Sequence, residues 1–236
     1  MKAKIILALD VDSFSKAKYF VNKLYPKIKI FKIGSQLSTA YGPKITEFIH
    51  KKGAEVFLDL KFYDIPNTVA NAVCQAVHLK VKMLTLHISG GEEMLRAAVR
   101  AAKDEAGQLK ITRPLLIGVT VLTSKKASQK DVLKLAKEGL SCGLDGVVCS
   151  VQEAKFLRKN IHKDFVIVTP GIRPVKSGVD DQKRTATVTQ AIKAGSDFLV
   201  IGRPILQAKD PKAATEEILK SIRKKIAFGD DFYRRS

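Results

Sequence analysis

Eight times along the 236-residue chain, a short run of Ile, Val and Leu gives way to a polar turn and then to a helix-like pattern. No other feature restricts the fold as much. The runs are Ile5–Leu9, Ile28–Ile33, Val56–Leu60, Met83–His87, Leu115–Val119, Gly146–Cys149, Val166–Thr169 and Phe198–Ile201. They are nearly continuous in apolar residues instead of alternating with polar ones, which suits parallel strands buried on both faces. Between them, apolar side chains recur at helical spacing. Ala17, Phe20, Val21 and Leu24 follow a candidate Ser13 cap, and Ile45, Phe48 and Ile49 follow Pro43, which a first helical turn accepts. Met94, Leu95, Ala98, Val99 and Ala102 form another stripe, and Ala214, Ile218 and Ile222 the last. Strict alternation predicts an α/β chain of the (β/α)8 TIM barrel class, one domain over residues 1–236 with no linker. A doubly wound open sheet is the fold alternative, because periodicity does not show closure.

Composition closes off several functions. No apolar run approaches the ~20 residues that span a bilayer, so no membrane partner is expected. The apolar run after Lys2 is too short before Asp10 for a signal peptide and reads as a first strand. Cys74, Cys142 and Cys149 are odd in number and lack Cys-x-x-Cys spacing, which points to a reduced, cytoplasmic protein. His50, His78, His87 and His162 are scattered, so no zinc site is expected. The net charge of +19 raises the question of nucleic acid. Yet the lysines spread over most helices, without Trp and without an aromatic-basic repeat. A solvated cationic surface that also draws in an anionic substrate is the better reading.

A barrel places function at the C-terminal ends of its strands and in the loops that follow. Those ends read Asp10, Lys32, Asp59 with Lys61, His87, Thr120 to Thr123, Ser150, Pro170-Gly171-Ile172-Arg173 and Gly202-Arg203. The loops after the last two strands are the usual phosphate site of this architecture. Their glycines let backbone N–H groups approach an anion, and arginine forks bind phosphate oxygens in pairs. The loop from Pro170 to Gln182, with Gly171, Pro174 and Gly178, is long enough to fold over a ligand.

The densest chemistry lies in Leu58-Asp59-Leu60-Lys61-Phe62-Tyr63-Asp64-Ile65-Pro66-Asn67-Thr68. A strand's period of two sets Asp59 and Lys61 on one face. Ile65-Pro66 ends the extended pattern, and Asn67 offers a cap for a helix beginning near Thr68. Asp-x-Lys alone is equally an ion pair at a strand terminus, worth little. The whole stretch is more specific: Asp-x-Lys-x-x-Asp followed by Ile-Pro-x-Thr resembles the signature of the orotidine 5′-phosphate decarboxylase family. The resemblance runs along the chain through Leu7-Ala8-Leu9-Asp10, Phe31-Lys32-Ile33-Gly34 and Gly118 to Ser124. It continues through Gly143 to Ser150, Thr169 to Arg173, Asp181-Gln182 and Ile201-Gly202-Arg203. It is nearest to the family's bacterial branch.

That resemblance implies a cofactor-independent carboxy-lyase of pyrimidine biosynthesis that takes a small nucleotide and works as a homodimer with shared active sites. Lys61 would be the proton donor, beside Asp59 and an Asp64 from the other subunit, with Ile65 and Thr68 reaching across too. Asp10 and Lys32 would hold the ribose hydroxyls, and Thr123, with Ser124, would face the pyrimidine. Arg173, Gln182, Gly202 and Arg203 would grip the 5′-phosphate. His87 stands at a matching strand end, where a structural histidine is as good a reading. Sugar-phosphate decarboxylases and hexulose-phosphate synthases share the barrel and the Asp-x-Lys-x-x-Asp array, but they lack the Ile-Pro-Asn-Thr that follows here. A basic RNA-binding protein is the alternative outside enzymes.

Overall fold

A computed structural model describes residues 3–121, 127–173 and 185–229, with side chains to residue 223. In chain order its elements are β1 (Lys4–Ala8), α1 (Phe14–Leu24), β2 (Ile30–Gly34), α2 (Ser35–Tyr41), α3 (Pro43–Lys51), β3 (Glu55–Phe62) and α4 (Pro66–His78). Then come β4 (Met83–His87), α5 (Gly91–Gln108), β5 (Leu115–Val119), α6 (Gln129–Ser141), β6 (Gly146–Val148), α7 (Val151–Asn160) and β7 (Val166–Thr169). The chain continues with β8 (Ile172–Arg173), β9 (Ala186–Thr187), α8 (Val188–Lys193), β10 (Phe198–Ile201), α9 (Arg203–Leu206) and α10 (Pro211–Gly229).

Eight parallel strands close into a barrel in the order β1-β10-β7-β6-β5-β4-β3-β2, and β8 and β9 pair apart from it. Closure settles the alternative left open by periodicity. Ladder bonds run from β1 to both its neighbours, Ile5 to Leu199 on one side and Leu7 to Phe31 on the other, so no edge remains in the barrel.

The apolar runs are continuous because each strand buries two faces. Ile6, Ala8, Ile30, Phe57, Met83, Ile117, Val168 and Val200 fill the barrel interior. Their neighbours, such as Leu7, Phe31, Val56, Leu84 and Leu199, pack outward against the helices. Ser13 caps α1 as expected, its hydroxyl accepting the Lys16 N–H at 3.3 Å, and Pro43 opens α3. The Asn67 cap is corrected: α4 begins at Pro66 with Ile65 as its N-cap, and no side chain caps it. A proline already suited to the first helical position, with no N–H to satisfy, starts the helix before Asn67 can serve. Two of the strand ends turn out to be structural. Ser150 forms a reciprocal cap with Glu153 at the start of α7, and Thr120 donates to the Val148 carbonyl at 3.0 Å.

Candidate active site

Period two along the strands aims every second side chain inward, and where the apolar layers stop the inward side chains become charged. Lys32 follows Ile30 on β2, and Asp59 follows Phe57 on β3. Asp10, Lys32, Asp59, Lys61, Arg173, Gly202 and Arg203 line one cavity of about 530 Å³ at the C-terminal end of the barrel. Phe57, Val119, Val168 and Val200 form its apolar wall. A smaller cavity of about 320 Å³ lies beside α7 and α8, lined by Gln152, Lys155, Gln190 and Lys193 without any carboxylate.

Four charges alternate in sign across the larger cavity. Lys32 Nζ stands 3.1 Å from Asp10 Oδ1 and 3.4 Å from Asp59 Oδ2. Lys61 Nζ lies 2.9 Å from Asp59 Oδ1. The middle pair is the most buried, with 11% of the Lys32 side chain and 14% of the Asp59 side chain exposed. Burial resists both charges, but the neighbours win. Asp59 and Asp10 raise Lys32 above the usual lysine range, while Lys32, Lys61 and the Thr85 hydroxyl hold Asp59 below the usual carboxylate range. At neutral pH the cavity therefore presents an anionic Asp59 between two lysines.

Lys61 reaches this place by an unusual route. Its backbone is left-handed at φ 53°, and the pairing of β3 with β4 shifts register between Leu58 and Phe62. Lys80 and Lys110 share the conformation, but they sit just past the ends of α4 and α5, where such residues are ordinary. A non-glycine residue held so within a strand costs about 1–2 kcal/mol, and such strain collects at functional sites. Asp59 and Lys61 share the cavity face as period two along β3 predicts, and Lys61 does so with a left-handed backbone that the sequence does not announce. What sequence reasoning missed is Thr85, fully buried on β4, whose hydroxyl accepts the Lys61 N–H at 2.9 Å and donates to Asp59 Oδ1 at 3.0 Å. Its only local signal is a hydroxyl within the apolar run Met83-Leu84-Thr85-Leu86.

Arg173, only 7% exposed, comes from the small β8–β9 pair, and Arg203 opens α9 directly after Gly202. Gly171, at φ 77°, makes a turn that a side chain would strain just before β8, which packs against β10. Asp64, Ile65 and Thr68 are exposed and stand outside this chain's own cavity. Asp64 Oδ1 accepts the Ile65 N–H at 2.7 Å. Thr123, Ser124, Gln182 and most of the expected lid loop lie outside the described residues. His87 meets Tyr63 edge-on, ring centroids 5.7 Å apart. Among the described residues, no group of three or more His, Cys, Asp or Glu side chains is placed to hold a metal ion. None of their helices is long and apolar enough to cross a membrane.

Fold and site together define a (β/α)8 barrel of the enzyme kind, with its charged groups gathered on the C-terminal rim. More narrowly, the chain belongs to the Orotidine 5′-phosphate decarboxylase / HUMPS family, whose model matches residues 3–218. It is 48% identical to the orotidine 5′-phosphate decarboxylase of Vibrio cholerae over 230 residues, covering 93% of this chain and 98% of that protein. It is 47% identical to the enzyme of the same name from Aliivibrio fischeri, over 93% of this chain and 97% of that one. Among solved structures it is similar to orotidine 5′-phosphate decarboxylase from Lactobacillus acidophilus. That structure gives a TM-score of 0.81 at 36% identity, covering 93% of this chain and 99% of the other.

Proposed function

We propose that this chain converts orotidine 5′-phosphate to uridine 5′-phosphate and CO2, in pyrimidine biosynthesis. The observation that carries the reading is the row Asp10–Lys32–Asp59–Lys61 in the same cavity as Arg173 and Arg203. The identity to relatives of that name supports it. So does Ile65-Pro66-Asn67-Thr68, which separates this branch from sugar-phosphate enzymes with a similar Asp–Lys array.

Loss of CO2 from the pyrimidine carboxylate leaves an electron pair on the ring carbon. The Lys61 ammonium stabilises that charge as it forms and then delivers the proton. Asp59, held anionic, faces the substrate carboxylate. Two like charges about 4 Å apart repel by about 4 kcal/mol at an effective dielectric of ~20, and neutral CO2 escapes that cost. Binding energy from the phosphate, held by Arg173, Arg203, the Gly202 backbone and Gln182, offsets it. Asp10 and Lys32 take the ribose hydroxyls, and Thr123 faces the pyrimidine edge.

Asp64, Ile65 and Thr68 complete the site of a second copy. Asp64 accepts the Ile65 N–H instead of meeting Lys61, and Tyr63 and Ile65 beside it are 62% and 67% exposed. Large apolar side chains exposed around a carboxylate suit a two-fold contact that buries them. The three free cysteines, two of them buried, accord with a cytoplasmic setting.

The test offers two substrates, orotidine 5′-phosphate and a hexulose 6-phosphate, each with EDTA and with Mg2+. Consumption of the nucleotide alone, at the same rate in both buffers, is expected. Consumption of the sugar phosphate, or activity only with metal, would transfer the chain to the sugar-phosphate branch.

A further inference from the structure

Thr85 lies beneath the charged row, outside the cavity lining and without solvent exposure. One hydroxyl meets both partners of the Asp59–Lys61 ion pair. It accepts the Lys61 N–H and donates to Asp59 Oδ1, the same oxygen that receives Lys61 Nζ at 2.9 Å. A threonine hydroxyl has one proton to give, so accepting from Lys61 leaves that proton for Asp59. At Lys61 the β3–β4 register slips, and the N–H is taken by this side chain. Without the hydroxyl, a part-buried N–H and a part-buried carboxylate oxygen would each lose a partner, and the left-handed turn at Lys61 would lose its tie to β4.

We infer that Thr85 is a positioning residue for the decarboxylation: it locks the Lys61 backbone in its left-handed turn and fixes the direction of the Asp59 carboxylate. The inference rests on the reaction proposed above. It assigns Thr85 no contact with substrate and bonds to Asp59 and Lys61, so its loss should act on the chemical step and spare the phosphate grip of Arg173 on β8 and Arg203 on α9.

Thr85→Val keeps the shape and removes the hydroxyl. Its kcat on orotidine 5′-phosphate should fall about tenfold or more, while KM and the inhibition constant of uridine 5′-phosphate change by less than about threefold. Thr85→Ser keeps the hydroxyl and should retain kcat within about threefold of wild type. Folded wild-type protein without turnover would overturn the reaction, and this inference with it. Active wild type with a Val variant of equal kcat would overturn the positioning role alone. So would a Ser variant as impaired as Val, or failure of both Thr85→Val and Thr85→Ala to fold, since the hydroxyl would then serve stability.

Discussion

In the proposed reaction, Arg203 and Arg173 would do no chemistry on the pyrimidine and would instead set how much phosphate binding energy reaches it. They approach the cavity from two different elements, so a bound phosphate would bridge β8 and α9. Arg203→Ala should lower kcat/KM by about 2–4 kcal/mol, the scale of a charged hydrogen-bonded partner. Phosphite dianion added to wild type should accelerate turnover of a substrate lacking the phosphate. An unaffected rate would reduce the phosphate to an anchor. Asp10, Lys32, Asp59, Arg173 and Arg203 were legible as candidates because each is a charge standing where an apolar run stops. Thr85 was not. Threonine is an ordinary strand residue, and its importance comes from a backbone turn at Lys61, two strand positions after Asp59, that no local pattern announces.

At the scale of elements, the barrel divides its labour between two ends. Opposite the active site, Arg113 grips Asp145 with two bonds of 2.7 Å, and Arg158 donates to Asp197 at 2.6 Å. Each aspartate precedes a strand and also accepts a backbone N–H, from Leu116 and Ile167. These pairs pin strand starts. Arg158 adds bonds to the Gly195 and Phe165 carbonyls and lies over the Phe165 ring. Arg158→Met should therefore cost about 2–3 kcal/mol in urea unfolding while leaving kcat within about twofold. An unchanged unfolding midpoint, or a collapse of kcat in folded protein, would contradict this division. The strands themselves were readable because burial on both faces makes their runs continuous. Their ends were less so: β3 runs on to Phe62 since charged side chains there point into a cavity, and charge in a sequence looks like the end of a strand.

For the whole molecule, the question is whether one chain holds a complete site. Asp64 lies beyond its own cavity, so Lys61→Ala and Asp64→Ala subunits, each inactive, should complement when co-refolded. Activity should approach about a quarter of wild type if pairing is random, because a mixed two-fold dimer restores one intact site. Heterodimers as inactive as their parents would return Asp64 to its own chain. Closure of the barrel and the gathering of charges at one rim are properties of the assembled fold, which is why periodicity alone left an open sheet in play. The most direct measurement follows the ultraviolet absorbance of orotidine 5′-phosphate mixed, in EDTA, with wild-type protein and with Lys61→Ala in parallel. Complete conversion to uridine 5′-phosphate by wild type, and none above the uncatalysed rate by a folded Lys61→Ala, is the predicted result. A Lys61→Ala variant turning over near the wild-type rate, or a folded wild type that leaves the substrate untouched, would contradict it.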